Sequence, residues 1–445
     1  VSQSRVVRFG NIFVCKLFLC ALAMAADQKS PTKLSDLPAE AQRAISVALA
    51  RKSPAIQDFM LTASDGANGA EFGGSVAIDG NTVVVGAVLH NAAYVFVKPA
   101  GGWANMTQTA ELTASDQGTY FGGSVAISGN TVVVGADGAN VGGDEAQGAA
   151  YVFVKPVGGW SNMTETAELT ASDGVTDSGF GDAVGISGNT IVVGAPWGIN
   201  GNLGPGIVYE FTEPTNGWTN MTQTAELTAS DGYQHDILGS AVSISGSTVI
   251  TSICGCGDSG SPGAGYIFVE PLSGWTDMTE TATLTASDGE AGSAFGLSLS
   301  ISGNTAVVGA PHQAGVGVVY VFVQPRNGWV NMTQTAELTT GGGPDDFGGA
   351  VGISGNVILA SNQRVDRLNG RAFVFLKPPN GWHNTSTYKA GLGISFSYDG
   401  NAFGSAIAVS GTTAVVGAID APTTPPCRNS ICQPGPGEAF VFTEK

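Results

Sequence analysis

Short runs of β-branched and aromatic residues recur along this chain at a nearly constant interval, separated by glycine-rich polar stretches. The pattern is clearest in four successive runs, Phe121–Ser128, Thr131–Ala136, Ala150–Val154 and Ala167–Ser172. The second and third are almost continuously apolar, as expected of strands buried on both faces. Ser128-Gly-Asn130 between the first two, and Gly159-Trp160 with Asn162 between the last two, supply turn chemistry. The pattern therefore predicts a four-stranded antiparallel meander, with strands A, B, C and D in chain order.

A Phe-Gly pair or its relic opens each such unit: Phe72-Gly73, Phe121-Gly122, Phe180-Gly181, Leu238-Gly239, Phe295-Gly296, Phe347-Gly348 and Phe403-Gly404. A meander this small cannot bury both faces alone, so the seven units must stack, as a solenoid or as a ring. The two ends of the array decide between them. A D-type run, Met60–Asp65, precedes the first A strand, whereas the last unit stops after its C run at Phe440–Phe442. The orphan D strand fits the vacancy in the seventh unit, and pairing the two removes both open edges. The sequence predicts an all-β, seven-bladed β-propeller of four-stranded antiparallel blades over residues 58–445, closed by the N-terminal strand pairing in the last blade.

Composition agrees with an all-β array, at 43% hydrophobic and 12% charged residues with 65 glycines and 20 prolines. The net charge of −18 and the absence of a basic patch argue against nucleic acid and anionic lipid surfaces as partners. Residues 1–26 carry Arg5, Arg8 and Lys16 around an apolar stretch ending in Ala23-Met24-Ala25, the pattern of a secretory signal. Residues 27–57 read as a linker with a short amphipathic helix at Leu37–Ile45. No later apolar run reaches spanning length, so no membrane span is expected and the expected location is extracellular or the cell surface.

Phe-Gly-x-Ser-Val-x-Ile followed by Val-Val-Gly-Ala-Pro, intact at Val192–Pro196 and Val307–Pro311, resembles the FG-GAP repeat family over residues 59–445. The resemblance implies the seven-bladed propeller of integrin α-subunit heads, in proteins that are secreted or surface-exposed. Those repeats often carry an Asp-rich calcium loop between strands A and B. Here that loop is only Asp79-Gly80-Asn81, Ser128-Gly129-Asn130 and their equivalents, so calcium sites there are not carried over. The fourth unit has Thr251-Ser252-Ile253-Cys254 in place of Val-Val-Gly-Ala, and the sixth has Leu359-Ala360-Ser361-Asn362; both blades are expected to be distorted or specialised.

Six Gly-Trp pairs recur at the C–D turn, at Trp103, Trp160, Trp218, Trp275, Trp329 and Trp382, and recurrence at one repeat position favours packing over ligand binding. Sequons recur at the same turn, at Asn105, Asn162, Asn220, Asn331 and Asn384. They are glycosylation acceptors in a eukaryotic secreted chain, or copies of one ancestral turn. Beyond Cys15 and Cys20 in the signal, Cys427 and Cys432 are spaced for a local disulfide, while Cys254 and Cys256 form either a tight disulfide or two free thiols. Zinc is not favoured at these cysteines, which lack histidines at ligand spacing. His90, His235, His312 and His383 fall in four different units, and no nucleophile elbow, phosphate loop or dinucleotide fingerprint is present.

Loop diversity divides by face. The A–B and C–D loops are monotonous, while the B–C loops, such as Asp137–Gly148 and Pro196–Gly206, vary, and the D–A loops between them are rich in aspartate. Variable loops on a rigid scaffold are where binding usually resides, which makes this face the expected surface for a protein or glycan partner. Crowded acids there also invite a divalent cation, so weak calcium binding is expected, at Asp144, Glu145, Asp173 and Asp177. Two other classes stay open: an extracellular carbohydrate-active or other hydrolytic enzyme using carboxylates at the propeller mouth, and a purely structural domain of a larger assembly. A convergent pair of carboxylates with raised pKa would favour the enzyme; a broad loop surface would favour binding.

Overall fold

Each A–B hairpin forms because a glycine sits where the chain must reverse. In the second unit Ser128 pairs with Thr131, and Gly129 between them adopts the positive φ of 59° that the first central position of a tight hairpin turn requires. Strand B, Thr131–Ala136, then runs antiparallel to strand C, Ala149–Val154, and strand C to strand D, Ala167–Thr170. Val132, Val133 and Val134 are all fully buried, because successive side chains face opposite neighbouring sheets.

The computed structural model describes residues 56–116, 118–198, 204–233, 236–256, 261–341, 346–362, 370–393, 402–419 and 435–444. The signal at 1–26, nearly all of the linker at 27–57, the cysteines Cys427 and Cys432, and His235 lie outside them. Seven sheets result, one per Phe-Gly unit, and strands A from all seven line a central channel between Val76 and Val409. Among the described residues no helix is long and apolar enough to cross a membrane. The seventh sheet runs in the order Phe403–Ser410, Thr413–Ala418, Glu438–Glu444, Ile56–Thr62, which sets the N-terminal strand beside the last one. Leu61 is fully buried there, in one cluster with Val415, Ala439 and Val441.

Five of the sheets have five strands rather than four. The extra strand is the Met-Thr of the sequon turn, which leaves its own blade and pairs in parallel with strand D of the preceding one, as Met163 with Leu112 and Thr164 with Thr113. The sequon asparagine completes the link. Asn162 Oδ1 accepts the Glu111 N–H at 3.0 Å, and Asn105, Asn220, Asn331 and Asn384 accept from Met60, Glu168, Thr283 and Glu337. Asp277 stands at this position in the fourth unit and accepts the Glu226 N–H at 3.0 Å.

A second set of links runs around the A–B turns. The N–H of each turn glycine donates to a serine or aspartate of the preceding blade: Gly129 to Asp79, Gly188 to Ser128, Gly246 to Ser187, Gly303 to Ser245, Gly355 to Ser302 and Gly411 to Ser354. Gly80 donates to Ser410 at 3.2 Å, which completes the circle from the last blade to the first.

A third set joins strands A. Ser75, Ser124 and Ser298 donate their hydroxyls to Gly122, Gly181 and Gly348 carbonyls of the next blade, at 2.7 to 2.8 Å. Opposite each serine, strand B carries a glycine such as Gly135, because a Cβ there would collide with both the Gly181 carbonyl and the Ser124 hydroxyl. The fourth blade has Ala241 on strand A and Ser252 on strand B, and Ser252 supplies the hydroxyl to Gly296 O at 2.6 Å. In the sixth, Ser361 likewise stands on strand B beside Ala350, and its Oγ accepts the Ala350 N–H at 3.1 Å. Both units keep regular A–B and B–C pairing, and in the fourth the departure in sequence moves one hydroxyl from strand A to strand B.

Candidate functional site

The residue before each opening Phe or Leu has a left-handed backbone in all seven blades: Glu71, Tyr120, Gly179, Ile237, Ala294, Asp346 and Ala402, with φ between 45° and 66°. Six of the seven are not glycine, although an L-residue in this region costs about 1 kcal/mol or more. The conformation closes a tight turn, in which for instance the Gly123 N–H donates to Tyr120 O at 3.1 Å, and it sets the side chain at the entry to the channel-lining strand. One structural position, repeated around the D–A end of the channel, thus carries an acid, an aromatic, aliphatics and a second acid.

Between blades two and three this end gathers carboxylates and rings. Asp182 occupies the position of Gly74, Gly123 and Gly349, the second glycine of the opening motif. The side chain keeps an exposed edge, but desolvation by the protein packed around its carboxyl first, and then the neighbouring charge of Asp137, push that carboxyl up to about 7. The Asp137 carboxyl is raised too, by burial, against the lowering effect of hydrogen bonds from its own and the Gly138 backbone. Tyr120 lies over Gly138, Trp197 lies over Gly179, and both keep part of their rings exposed, at 48% and 37%. Tyr233, in the next D–A loop, is 75% exposed. A raised carboxyl beside exposed aromatic rings can donate and accept hydrogen bonds to hydroxyls while the rings cover apolar faces.

Most aspartates of the D–A loops are committed elsewhere. Tyr94, Tyr151, Tyr209, Tyr266 and Tyr320, on strands C, donate their hydroxyls to Asp65, Asp116, Asp173, Asp231 and Asp288 of the preceding loop, at 2.8 to 3.2 Å. Burial, and then these carboxylates, hold all five phenols far above their ordinary pKa. Blades six and seven carry Phe373 and Phe440 at the tyrosine position, and the sequence has Gly342 and Phe396 at the aspartate position. Tyrosine and aspartate therefore come and go together, a signal present in the sequence that points to contact.

Of the residues expected to hold calcium, Asp173 is the Tyr209 acceptor, at 2.9 Å. Asp144, Glu145 and Asp177 lie exposed where two loops meet: the Asp177 N–H donates to Glu145 O at 3.0 Å, and Thr176 Oγ1 lies 3.4 Å from Asp144 Oδ1. The sequon asparagines are all exposed, and the six tryptophans of the same turns are buried, at 4 to 7%, between blades. Cys254 and Cys256 face each other across Gly255, with Cα atoms 5.1 Å apart and sulfurs in contact. Asp182, Tyr120 and Trp197 escaped attention in the sequence; the break of a Gly-Gly pair at Asp182 was the available signal.

Five stretches, residues 57–96, 106–153, 163–211, 221–268 and 278–322, match the family model described as FG-GAP repeat, and together they cover just over half of the chain. No curated protein sequence matches it.

Proposed function

From the premise that the chain belongs to the FG-GAP repeat family, we propose that its propeller is an extracellular or cell-surface binding module that recognises a protein or glycan partner through the B–C and D–A loop face. The observation that carries this reading is the ring of left-handed residues at the channel entry, where backbone strain is accepted at side chains as different as Glu71, Tyr120, Ile237 and Asp346. The opposite face repeats one solution, since its serines, glycines and asparagines are spent on holding neighbouring blades together. The Asp144, Glu145 and Asp177 loop junction is the place for a weakly held calcium ion on the binding face, with Asp173 behind it.

Arrays of glycans and of extracellular proteins, probed with the purified propeller, test the reading. Capture should be lost with Tyr120→Ala and Trp197→Ala and kept with Val157→Ser and Leu272→Ser, which change fully exposed side chains at the C–D turns. The reverse result would move the working face.

The Asp137 and Asp182 pair favours one second reading, a hydrolase in which Asp182, protonated near neutrality, serves as general acid. Turnover of a glycoside panel by the protein, abolished by Asp182→Asn, would replace the binding module with that enzyme.

A further inference from the structure

The first blade differs from its relatives by one imidazole. Asp65, Tyr94 and Glu111 form an arrangement that recurs as Asp116, Tyr151 and Glu168, as Asp173, Tyr209 and Glu226, and as Asp288, Tyr320 and Glu337. In each, the tyrosine hydroxyl holds the aspartate while the glutamate lies opposite the tyrosine in the C–D pairing. In blade one the short 3-10 turn Val88–His90 adds His90, whose Nε2 lies 3.3 Å from Asp65 Oδ2. One ligand atom each from Asp65, His90 and Glu111 then lies within 4.8 Å of the other two, and this is the group of three such side chains found among the described residues.

We propose that Asp65, His90 and Glu111 form a binding site for a divalent transition metal of the zinc class, with water completing the coordination. An imidazole nitrogen and two carboxylates are a donor set that suits zinc-class ions better than calcium or magnesium, which take oxygen ligands. The distance between His90 and Asp65 matches the edge of a tetrahedron with bonds of about 2.0 Å, which is ~3.3 Å. Tyr94 donates to the same Asp65 Oδ2 at 3.2 Å and orients the carboxylate, as outer hydrogen bonds do at metal centres.

The site also has a structural consequence. Asp65 follows the N-terminal strand, which belongs to the seventh sheet, whereas His90 and Glu111 belong to the first. A bound ion ties those two sheets together.

Titration calorimetry and thermal melts of the untagged protein with Zn2+, Ca2+ or Mg2+ test the proposal. Expected are one tight Zn2+ site, a melting temperature raised by Zn2+, and a loss of at least tenfold in affinity with His90→Ala and with Glu111→Gln. Ca2+ binding should be the same in wild type and His90→Ala, since the carboxylates remain. Circular dichroism establishes that each variant is folded, and the two variants alter different elements. Zn2+ binding equal in wild type and His90→Ala, or no Zn2+ effect on wild type, overturns the site and leaves His90 as an ion-pair partner of Asp65 only.

Discussion

The backbone N–H of Gly80 donates to the hydroxyl of Ser410, 3.2 Å away and 330 positions later in the chain. It is the seventh member of a circle whose other six join consecutive blades. A hydrogen bond of this kind contributes about 1 kcal/mol. Ser410→Ala should lower stability by that amount in urea denaturation, and Ser245→Ala, at a sequential seam, by a similar amount. A much larger loss at Ser410 would mean that the first and last blades hold by few other contacts.

Removing residues 55–65 tests the seam more severely. Burial of Leu61 alone is worth about 2 kcal/mol, and the deletion also bares the ladder edge of Glu438–Glu444. The truncated protein should melt at a markedly lower temperature or aggregate. An unchanged melting curve would contradict the strand order of the seventh sheet.

The sequon asparagine acts through its oxygen, since Asp277 does the same work. Asn162→Asp should therefore leave stability nearly unchanged, while Asn162→Ala should cost about 1 kcal/mol by leaving the Glu111 N–H without its acceptor. Chemical denaturation of protein made in bacteria separates this effect from any glycan. Mass spectrometry of protein secreted from eukaryotic cells then shows whether the exposed amide nitrogens are also modified.

Tyr151 and Asp116 should behave as a coupled pair. Tyr151→Phe and Asp116→Gly each remove one partner, and hydrogen bonds to charged groups are worth about 1.5 to 3 kcal/mol. The double variant reproduces the residue types of blade six, Phe373 and Gly342 in the sequence, and should lose less than the sum of the two. Additive losses would show that the hydrogen bond contributes little.

Glu210 gives a pH signature. It is fully buried on strand C of blade three, Thr212 donates to its Oε1 at 2.7 Å, its Oε2 has no partner, and burial raises its pKa to about 7. Between its unfolded value of 4.5 and about 7 the folded state binds the proton more tightly, so this group's contribution to stability falls as pH rises across that window. Glu210→Gln should therefore be more stable than wild type at pH 8, with the gap closing toward pH 4.5. A gap independent of pH would assign the effect to packing.

The ring was legible because its causes are local: β-branched runs for buried strands, and a glycine wherever the chain turns or two backbones touch. The D-type run at Met60 stands ahead of the first unit in the sequence, and the structure sets it beside Glu438–Glu444. The links between blades were less visible, since Asn162 and Ser128 read as turn residues and nothing local shows that their oxygens serve the neighbouring unit. The functional face was read only in outline. Asp182 is raised in part by Asp137 of another blade, and Asp65 meets His90, 25 positions later, only in the folded chain.

The hydroxyl that sits on strand A in Ser124 and on strand B in Ser252 limits how such units can recombine. Whole units can be duplicated or exchanged without setting two hydroxyls against each other, because each carries the hydroxyl on strand A or on strand B or, as at Ala183 and Gly194 of blade three, on neither. A crossover inside the A–B hairpin is different: joining strand A of blade two to strand B of blade four would set Ser124 against Ser252, in a space that admits one side chain. Inheritance in this array should therefore respect the hairpin as its smallest exchangeable piece, even though the repeat is several times longer.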